Sequence, residues 1–318
     1  MSEKQNTEFI SEDKSISSNV IAFIAFGEVN NRQAIFSICS LLLTRNKTIS
    51  NFSVVVYSNE PAKYEFLKEY IPISIRRLID TEVKQAIQPE NYFPKLKIML
   101  MDEMLGSEAI KNLILVDSDT IFLKNPTILF QYLNNGHILM HLFEWIFRKG
   151  RKDNPILCPQ DGNIALASGR IVEWSDNSHM YNVGVIGIGA NNRNLIKDSL
   201  DFIIKYFAIY PSWHVEQLCV SLVFEQQGGI RFAKKQVFHY WHNKPIFNKY
   251  TGRFFSLLES GKHDEALSEC ERLIPILVFK MKIRLFLSEG KKWVRGLPGV
   301  YYLYKNFFKP YLKFSFIK

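Results

Sequence analysis

Two aspartates one residue apart, Asp117 and Asp119, stand between two apolar runs in the segment KNLILVDSDTIFLKNP, residues 111–126. A buried acid costs several kcal/mol unless it is paired or holds a metal. Two carboxylates together with substrate phosphates are a common way for a protein to hold Mg2+ or Mn2+. A surface turn is the plain alternative, since Asp and Ser are frequent there, and a D-x-D triplet by itself arises often by chance. The apolar run before the pair favours the metal: if a strand persists through it, positions 117 and 119 point to one face.

The elements that must position this pair follow from periodicity. NVIAFIAFG (19–27) is a buried-strand pattern, followed by a helical pattern through Ala34, Ile35, Ile38, Leu41 and Leu42. FSVVVYSN (52–59) is a second strand, PAKYEFLKEY opens a helix on its proline, and IPISIRRL (71–78) suits a third strand. FPKLKIMLMDEML (93–105) is helical, and NLILVDSD is the fourth strand. Further on, HILMHLF, NVGVIGIG and IRFAKKQVFHYW have strand patterns, while RNLIKDSLDFIIKYFAIY and VEQLCVSLVFEQ have helical ones. Strands alternating with helices imply an α/β fold with a mostly parallel sheet covered on both faces. Ligands gather at the carboxyl ends of such strands, where Asp117 and Asp119 fall.

Other residues add to the set. Gly187-Ile-Gly189 invites a dinucleotide-binding reading, but Asn192 stands where the third glycine belongs and the match is mid-chain rather than after the first strand. VFHYWHNKPIF (237–247) places His239, His242 and Lys244 beside aromatics, types that suit a metal and a phosphate, although a lone histidine is more often structural. Glu216-Gln217 begins a helix, where an acid is ordinary because the helix dipole favours it.

Asp117-Ser118-Asp119 after an apolar strand, Asn182-x-Gly184, Glu216-Gln217 and His239-Tyr240…Lys244-Pro245, in this order, resemble a glycosyltransferase of the GT-A fold, family eight, the type of glycogenin and of bacterial lipopolysaccharide galactosyltransferases. The resemblance covers about residues 19–250 and implies a Rossmann-like nucleotide-diphospho-sugar transferase. It implies a UDP-sugar donor held through Mn2+ or Mg2+, and transfer of a hexose to a glycan or lipid-linked acceptor. In its terms Asp117, Asp119 and His239 are metal ligands, with Ser118 beside the donor. Glu216 and Gln217 match the catalytic D-Q pair, and Lys244 matches the lysine on the diphosphate. Lys95, with Lys97 as the alternate, matches the basic residue of the helix before D-x-D. Asn182 and Gly184 match the strand lining the sugar pocket, while Phe26, Gly27, Tyr57 and Asn59 occupy the strand ends that cradle the nucleoside. Two positions depart from the family pattern: the histidine–lysine motif is one residue short and lacks its glycine, and Glu216 replaces an aspartate.

The net charge of +9 is local. Residues 279–318 carry ten basic residues against one acid, Glu289, so residues 1–278 balance at 30 of each sign. The same segment holds eleven aromatics. Basic residues interleaved with aromatics suit an anionic membrane surface, the reading taken here, or single-stranded nucleic acid, which is not expected; packing on the domain is the third reading. Residues 1–18 form a polar lead-in without the apolar region of a secretory signal. No window approaches the roughly 18 apolar residues of a membrane span. Cys39, Cys158, Cys219 and Cys270 show no paired spacing, which speaks against zinc and for a reducing compartment.

The expected organisation is a lead-in (1–18), a catalytic domain (19–250) and a helical, then basic aromatic segment (251–318). The expected place is the cytoplasmic face of the cell membrane, in lipopolysaccharide or surface-polysaccharide synthesis. The alternatives are a sugar nucleotidyltransferase, which would want a Gly- and Arg-rich loop where FGEVNNRQ stands, and a non-catalytic basic protein bound to membrane or nucleic acid.

Overall fold

Strand β1 (Asn19–Ala25) is an unbroken apolar run because both of its faces are buried. Val20 and Ala22 enter one apolar core, while Ile21 and Phe23, pointing the other way, are equally inaccessible. The computed structural model describes residues 17–44, 52–149 and 161–295, and the chain divides into the units Met1–Trp241 and His242–Lys318.

In the first unit, β1 turns at Gly27 into helix α1 (Glu28–Leu43). Strand β2 (Ser53–Ser58), a 3₁₀ segment (Pro61–Glu69), strand β3 (Ile73–Arg77) and the short helix α2 (Asp80–Ala86) follow. Helix α3 (Phe93–Leu105) carries Pro94 in its first turn, where the missing N–H costs nothing, and leads into β4 (Asn112–Val116). Next come β5 (Thr120–Phe122), α4 (Thr127–Asn134), β6 (Ile138–Ile146), β7 (Gly162–Ala165), β8 (Ile171–Trp174) and β9 (His179–Gly189). Helices α5 (Arg193–Ile209) and α6 (Val215–Gln227) precede β10 (Ile230–Phe232) and β11 (Val237–His239).

The main sheet has seven strands in the order β10-β6-β9-β4-β1-β2-β3. All run parallel except β9, which is antiparallel to both β4 and β6. The α/β class and the mostly parallel sheet expected from the alternating pattern are therefore what the chain adopts. Helices α3, α5 and α6 share one core with the sheet, and α1 packs against β1 and β5. Strand order reverses between β1 and β4, and the crevice at the carboxyl ends of such a pair is where ligands bind in open α/β sheets. Gly27 follows β1 and Asp117 follows β4, so they flank that crevice.

Two local expectations change. Strand β4 stops at Val116, so Asp117 and Asp119 lie in a turn and do not share a strand face. The stretch IRFAKKQVFHYW is two short strands, not one: β10 extends the main sheet, and β11 pairs antiparallel with β5 in a separate two-stranded sheet. Strand β5 is too short at three residues to show a period of its own. Cys39, Cys219 and Cys270 are buried; Cys158 lies outside the described residues.

The second unit packs α7 (Lys244–Tyr250) and α8 (Gly252–Glu259) on α9 (His263–Arg295), burying Phe247, Phe254 and Phe255. Lys280 lies 5.1 Å from the Tyr250 ring centroid, within cation–π range. His242 and Lys244 belong to this unit. Among the described residues no helix is long and apolar enough to cross a membrane. The expected lead-in falls almost wholly outside the described residues, as does the basic aromatic stretch from residue 296 onward.

Candidate metal centre

The turn after β4 is held at both aspartates. Asp117 N–H donates to the Gly184 carbonyl of β9 (2.9 Å), and Thr120 Oγ1 donates to the Asp117 carbonyl (2.8 Å). Tyr240 N–H donates to the Asp119 carbonyl at 3.0 Å. Helix α1 holds β5 from behind, with Ser37 bonded to Thr120 (2.7 Å) and Ser40 accepting from Phe122 N–H (2.8 Å). The antiparallel pairing of β5 and β11 sets His239 opposite Thr120 and so beside Asp119. The carboxylates and the imidazole, far apart in sequence, are brought together by this small sheet.

Asp117, Asp119 and His239 each offer one ligand atom, and these atoms lie within 4.8 Å of one another. His239 Nε2 is 3.1 Å from Asp119 Oδ1 and 3.7 Å from Asp117 Oδ2. The other ring nitrogen, Nδ1, lies 2.9 Å from Asn182 Oδ1. That oxygen also accepts from Gly184 N–H (2.9 Å), so the Asn182 amide presents its carbonyl and the imidazole must carry its proton on Nδ1. Nε2 is then left to face the two acids, the orientation a histidine ligand needs. Two carboxylates and an imidazole suit Mn2+, and the residues present fit such an ion. A Cβ at Gly184 would overlap the His239 ring, which explains a glycine at this point of a central strand.

Lys97 of α3 extends the site. Its ammonium lies 2.7 Å from Asp117 Oδ1 and 2.9 Å from Glu216 Oε1 at the start of α6. Burial alone would lower the Lys97 pKa, but the two carboxylates more than reverse this and hold it protonated. Burial raises the Glu216 carboxyl, Lys97 pulls it back, and Asp117 pushes it up again. Between the two candidate lysines, it is Lys97 that reaches the acids. Lys95 points elsewhere, to Glu90 (2.6 Å) and the Gln88 carbonyl (2.7 Å). Helical spacing explains the difference, since residues two apart face different sides of a helix.

At the nucleoside edge, Gly27 has φ +82, and its N–H donates to Asn59 Oδ1 at 3.0 Å. The buried Asn31 ties Gly27 O, Asn59 Oδ1 and Glu60 together and accepts from Ser58 (2.6 Å) and Tyr64 (2.7 Å). Half-buried Phe26 contacts Phe93 across the crevice, ring centroids 6.0 Å apart. Tyr57, the remaining residue of the expected nucleoside cradle, is buried, and burial, with Glu103 of α3 next, raises its hydroxyl pKa.

Three participants have no signal in the sequence. Glu144 of β6 accepts from Asn182 Nδ2 (2.8 Å) and Gln217 Nε2 (2.6 Å). Tyr92 caps the start of α6, its hydroxyl accepting from Glu216 N–H and donating to the Trp213 carbonyl, both at 2.9 Å. His141 packs edge-on against the His239 ring at 5.5 Å, and burial, with His239 next, lowers its pKa to about 4, so it is neutral at pH 7.

No known sequence family matches the chain. Neither does any curated protein. Among solved structures it is similar to the apo form of WbbM, a bifunctional glycosyltransferase, with TM-score 0.46 and 13% identity over 68% of this chain. The chain spans 38% of that one. It is also similar to the apo form of mouse xyloside xylosyltransferase 1, with TM-score 0.43 and 12% identity, covering 67% of this chain and 84% of that one.

Proposed function

We propose that the chain is a metal-dependent glycosyltransferase of GT-A type that moves a sugar from a UDP-sugar to a hydroxyl of a glycan or lipid-linked acceptor. The observation that carries this reading is the convergence of Asp117, Asp119 and His239 at the carboxyl end of β4, with Lys97 bridging Asp117 to Glu216. Breaking a sugar–phosphate bond builds negative charge on the departing diphosphate, and fixed positive groups in a partly dry site stabilise it. A bound Mn2+ or Mg2+ would supply Lewis-acid neutralisation of that charge.

The chain's own residues do the rest. Asp117, Asp119 and His239 would hold the ion, with Asn182 keeping His239 turned toward it. Lys97 adds a fixed cation beside Asp117, and Glu216 keeps it in place. Gly27 and Asn59, braced by Asn31, form the far wall of the crevice, where a nucleoside would lie near Phe26. The acceptor belongs to surface-polysaccharide or lipopolysaccharide synthesis in this reading, and the ten basic residues of 279–318 draw the protein to an anionic membrane.

The test is thermal unfolding with UDP, with Mn2+, and with both. A ligand at about 100 times its Kd stabilises by about 2.7 kcal/mol. The expected result is stabilisation by UDP only when Mn2+ is present. Equal stabilisation without the metal would overturn the assignment of these three ligands.

A further inference from the structure

Glu144 sits at an irregularity in β6. The register against β9 is Leu142↔Asn182 and Phe143↔Tyr181, then shifts so that Trp145 pairs with Met180. Glu144 is the extra residue of this bulge, and bulges re-aim side chains next to functional sites. Here the bulge directs a half-buried carboxylate between two amides. Oε1 accepts from Asn182 Nδ2 at 2.8 Å and Oε2 from Gln217 Nε2 at 2.6 Å.

A carboxylate only accepts, so each amide must turn its NH2 toward Glu144. For Asn182 this adds little, because Gly184 N–H and His239 Nδ1 already claim its oxygen. Gln217 has no second anchor: the bond to Glu144 is the one its side chain makes among the described residues. Glu144 alone therefore decides which end of the Gln217 amide faces outward. The other end of the amide is the carbonyl oxygen, an acceptor, on the residue that follows Glu216, the partner of Lys97. An outward NH2 would attract phosphate oxygens; an outward carbonyl attracts hydroxyls.

We propose that Glu144 is a positioning residue that holds the Gln217 carbonyl oxygen outward to receive a sugar hydroxyl. The inference rests on the glycosyltransferase reading for the identity of the ligand, but the clamp itself is testable without substrate.

The variants are Glu144→Gln and the double variant Glu144→Gln with Asn182→Asp. In the single variant, the amide that replaces the carboxylate must turn its own NH2 toward one neighbour. Asn182 cannot rotate, so Gln217 does, and its NH2 moves outward. In the double variant, the new carboxylate on β9 accepts from the new amide on β6 while still accepting from Gly184 and His239. The carbonyl of that β6 amide again accepts from Gln217, and every hydrogen bond is restored with the charge moved from one strand to the other.

The first readout, on the full chain without ligand, is hydrogen exchange of the Gln217 side-chain NH2 in protein labelled with 15N-glutamine. Exchange should be slow in the wild type, fast in Glu144→Gln and slow again in the double variant. The second is hydrolysis of UDP-glucose and UDP-galactose with Mn2+, where the single variant should lose about 10- to 100-fold in kcat, as small misplacements at a reaction centre do. The double variant should recover most of it. Calorimetric affinity for UDP with Mn2+ should stay within about threefold in Glu144→Gln, because the bond from Asn182 that orients His239 is untouched. If the Gln217 NH2 exchanges alike in all three proteins, or the folded double variant is no better than the single one, the proposal is wrong. If exchange follows the stated pattern but no form binds UDP with Mn2+, the clamp stands and the glycosyltransferase reading falls.

Discussion

The imidazole of His239 lies against the backbone of Gly184, on ground that a Cβ would occupy. The same glycine donates its N–H to Asn182 Oδ1 and its carbonyl oxygen receives Asp117 N–H, so one residue of β9 sets both sides of the candidate metal centre. Gly184→Ala must push the ring away or distort the strand. The expected outcome is a loss of about 10- to 100-fold in Mn2+ affinity, the range seen when a group supporting a metal ligand is lost. Titration of Mn2+ by electron paramagnetic resonance measures it, and unchanged affinity would show that His239 is not a ligand.

Asp119→Ala should abolish Mn2+-dependent UDP binding with little loss of structure. The turn is held through the Asp119 backbone carbonyl, which accepts from Tyr240 N–H whatever the side chain. Removing the carboxylate also frees His239 Nε2 from its 3.1 Å neighbour. Calorimetry of UDP with Mn2+ is the measurement; wild-type affinity in the variant would remove Asp119 from the ligand set.

His239→Ala should weaken Mn2+ binding more than His242→Ala. His239 has one nitrogen committed to an amide carbonyl while the other faces the acids. Parallel Mn2+ titrations of the two variants decide it, and an equal or reversed loss contradicts the assignment.

Replacing Lys305, Lys309, Lys313 and Lys318 with Gln should release the protein from anionic vesicles while sparing UDP binding. Each basic residue near such a surface contributes about 1 kcal/mol, so four of them are a large share of the attraction. Vesicle co-sedimentation with and without anionic lipid is the assay. Wild-type protein that ignores anionic vesicles would end the membrane proposal.

How much of this was open to sequence reading depends on what sets each feature. Strands β1, β2 and β4 and helix α3 are local patterns of apolar residues, and each was legible to within a few positions. That Asp117 and Asp119 follow a strand was also legible, but their convergence with His239 was open only through the family resemblance, not through any local pattern, since it comes from the pairing of β5 with β11 across more than a hundred residues. Glu144 gave no signal because a bulge aims it, and bulges depend on the register between strands rather than on residue type. Lys95 and Lys97 could not be separated by composition. Only the phase of α3 against β4 selects between them. The antiparallel direction of β9 was hidden for the same reason, its apolar run NVGVIGIG being compatible with either sense.

That phase gives a comparison in which stability and function separate. Lys95 is buried and Lys97 largely so, and both are paired, Lys95 with Glu90 at 2.6 Å and Lys97 with Asp117 at 2.7 Å and Glu216 at 2.9 Å. Removing one partner of a buried pair costs about 3–5 kcal/mol, because the other charge is left uncompensated. Lys95→Met and Lys97→Met should therefore both lower the melting temperature. Only Lys97→Met should abolish UDP binding with Mn2+, since Lys95 touches neither acid of the site. The two should also differ in pH dependence. Burial already raises the Glu216 carboxyl above 4.5, and Lys97 opposes that rise. Without Lys97 the folded-state value climbs further, so the folded form binds more protons than the unfolded one over a wider range. Stability is then present at low pH and lost as pH rises from about 4.5 through the folded value. Lys97→Met should accordingly regain stability, relative to wild type, on going from about pH 8 to about pH 5. Urea unfolding at the two pH values measures it, and an equal pH response in wild type and Lys97→Met would mean that Lys97 does not govern the Glu216 carboxyl.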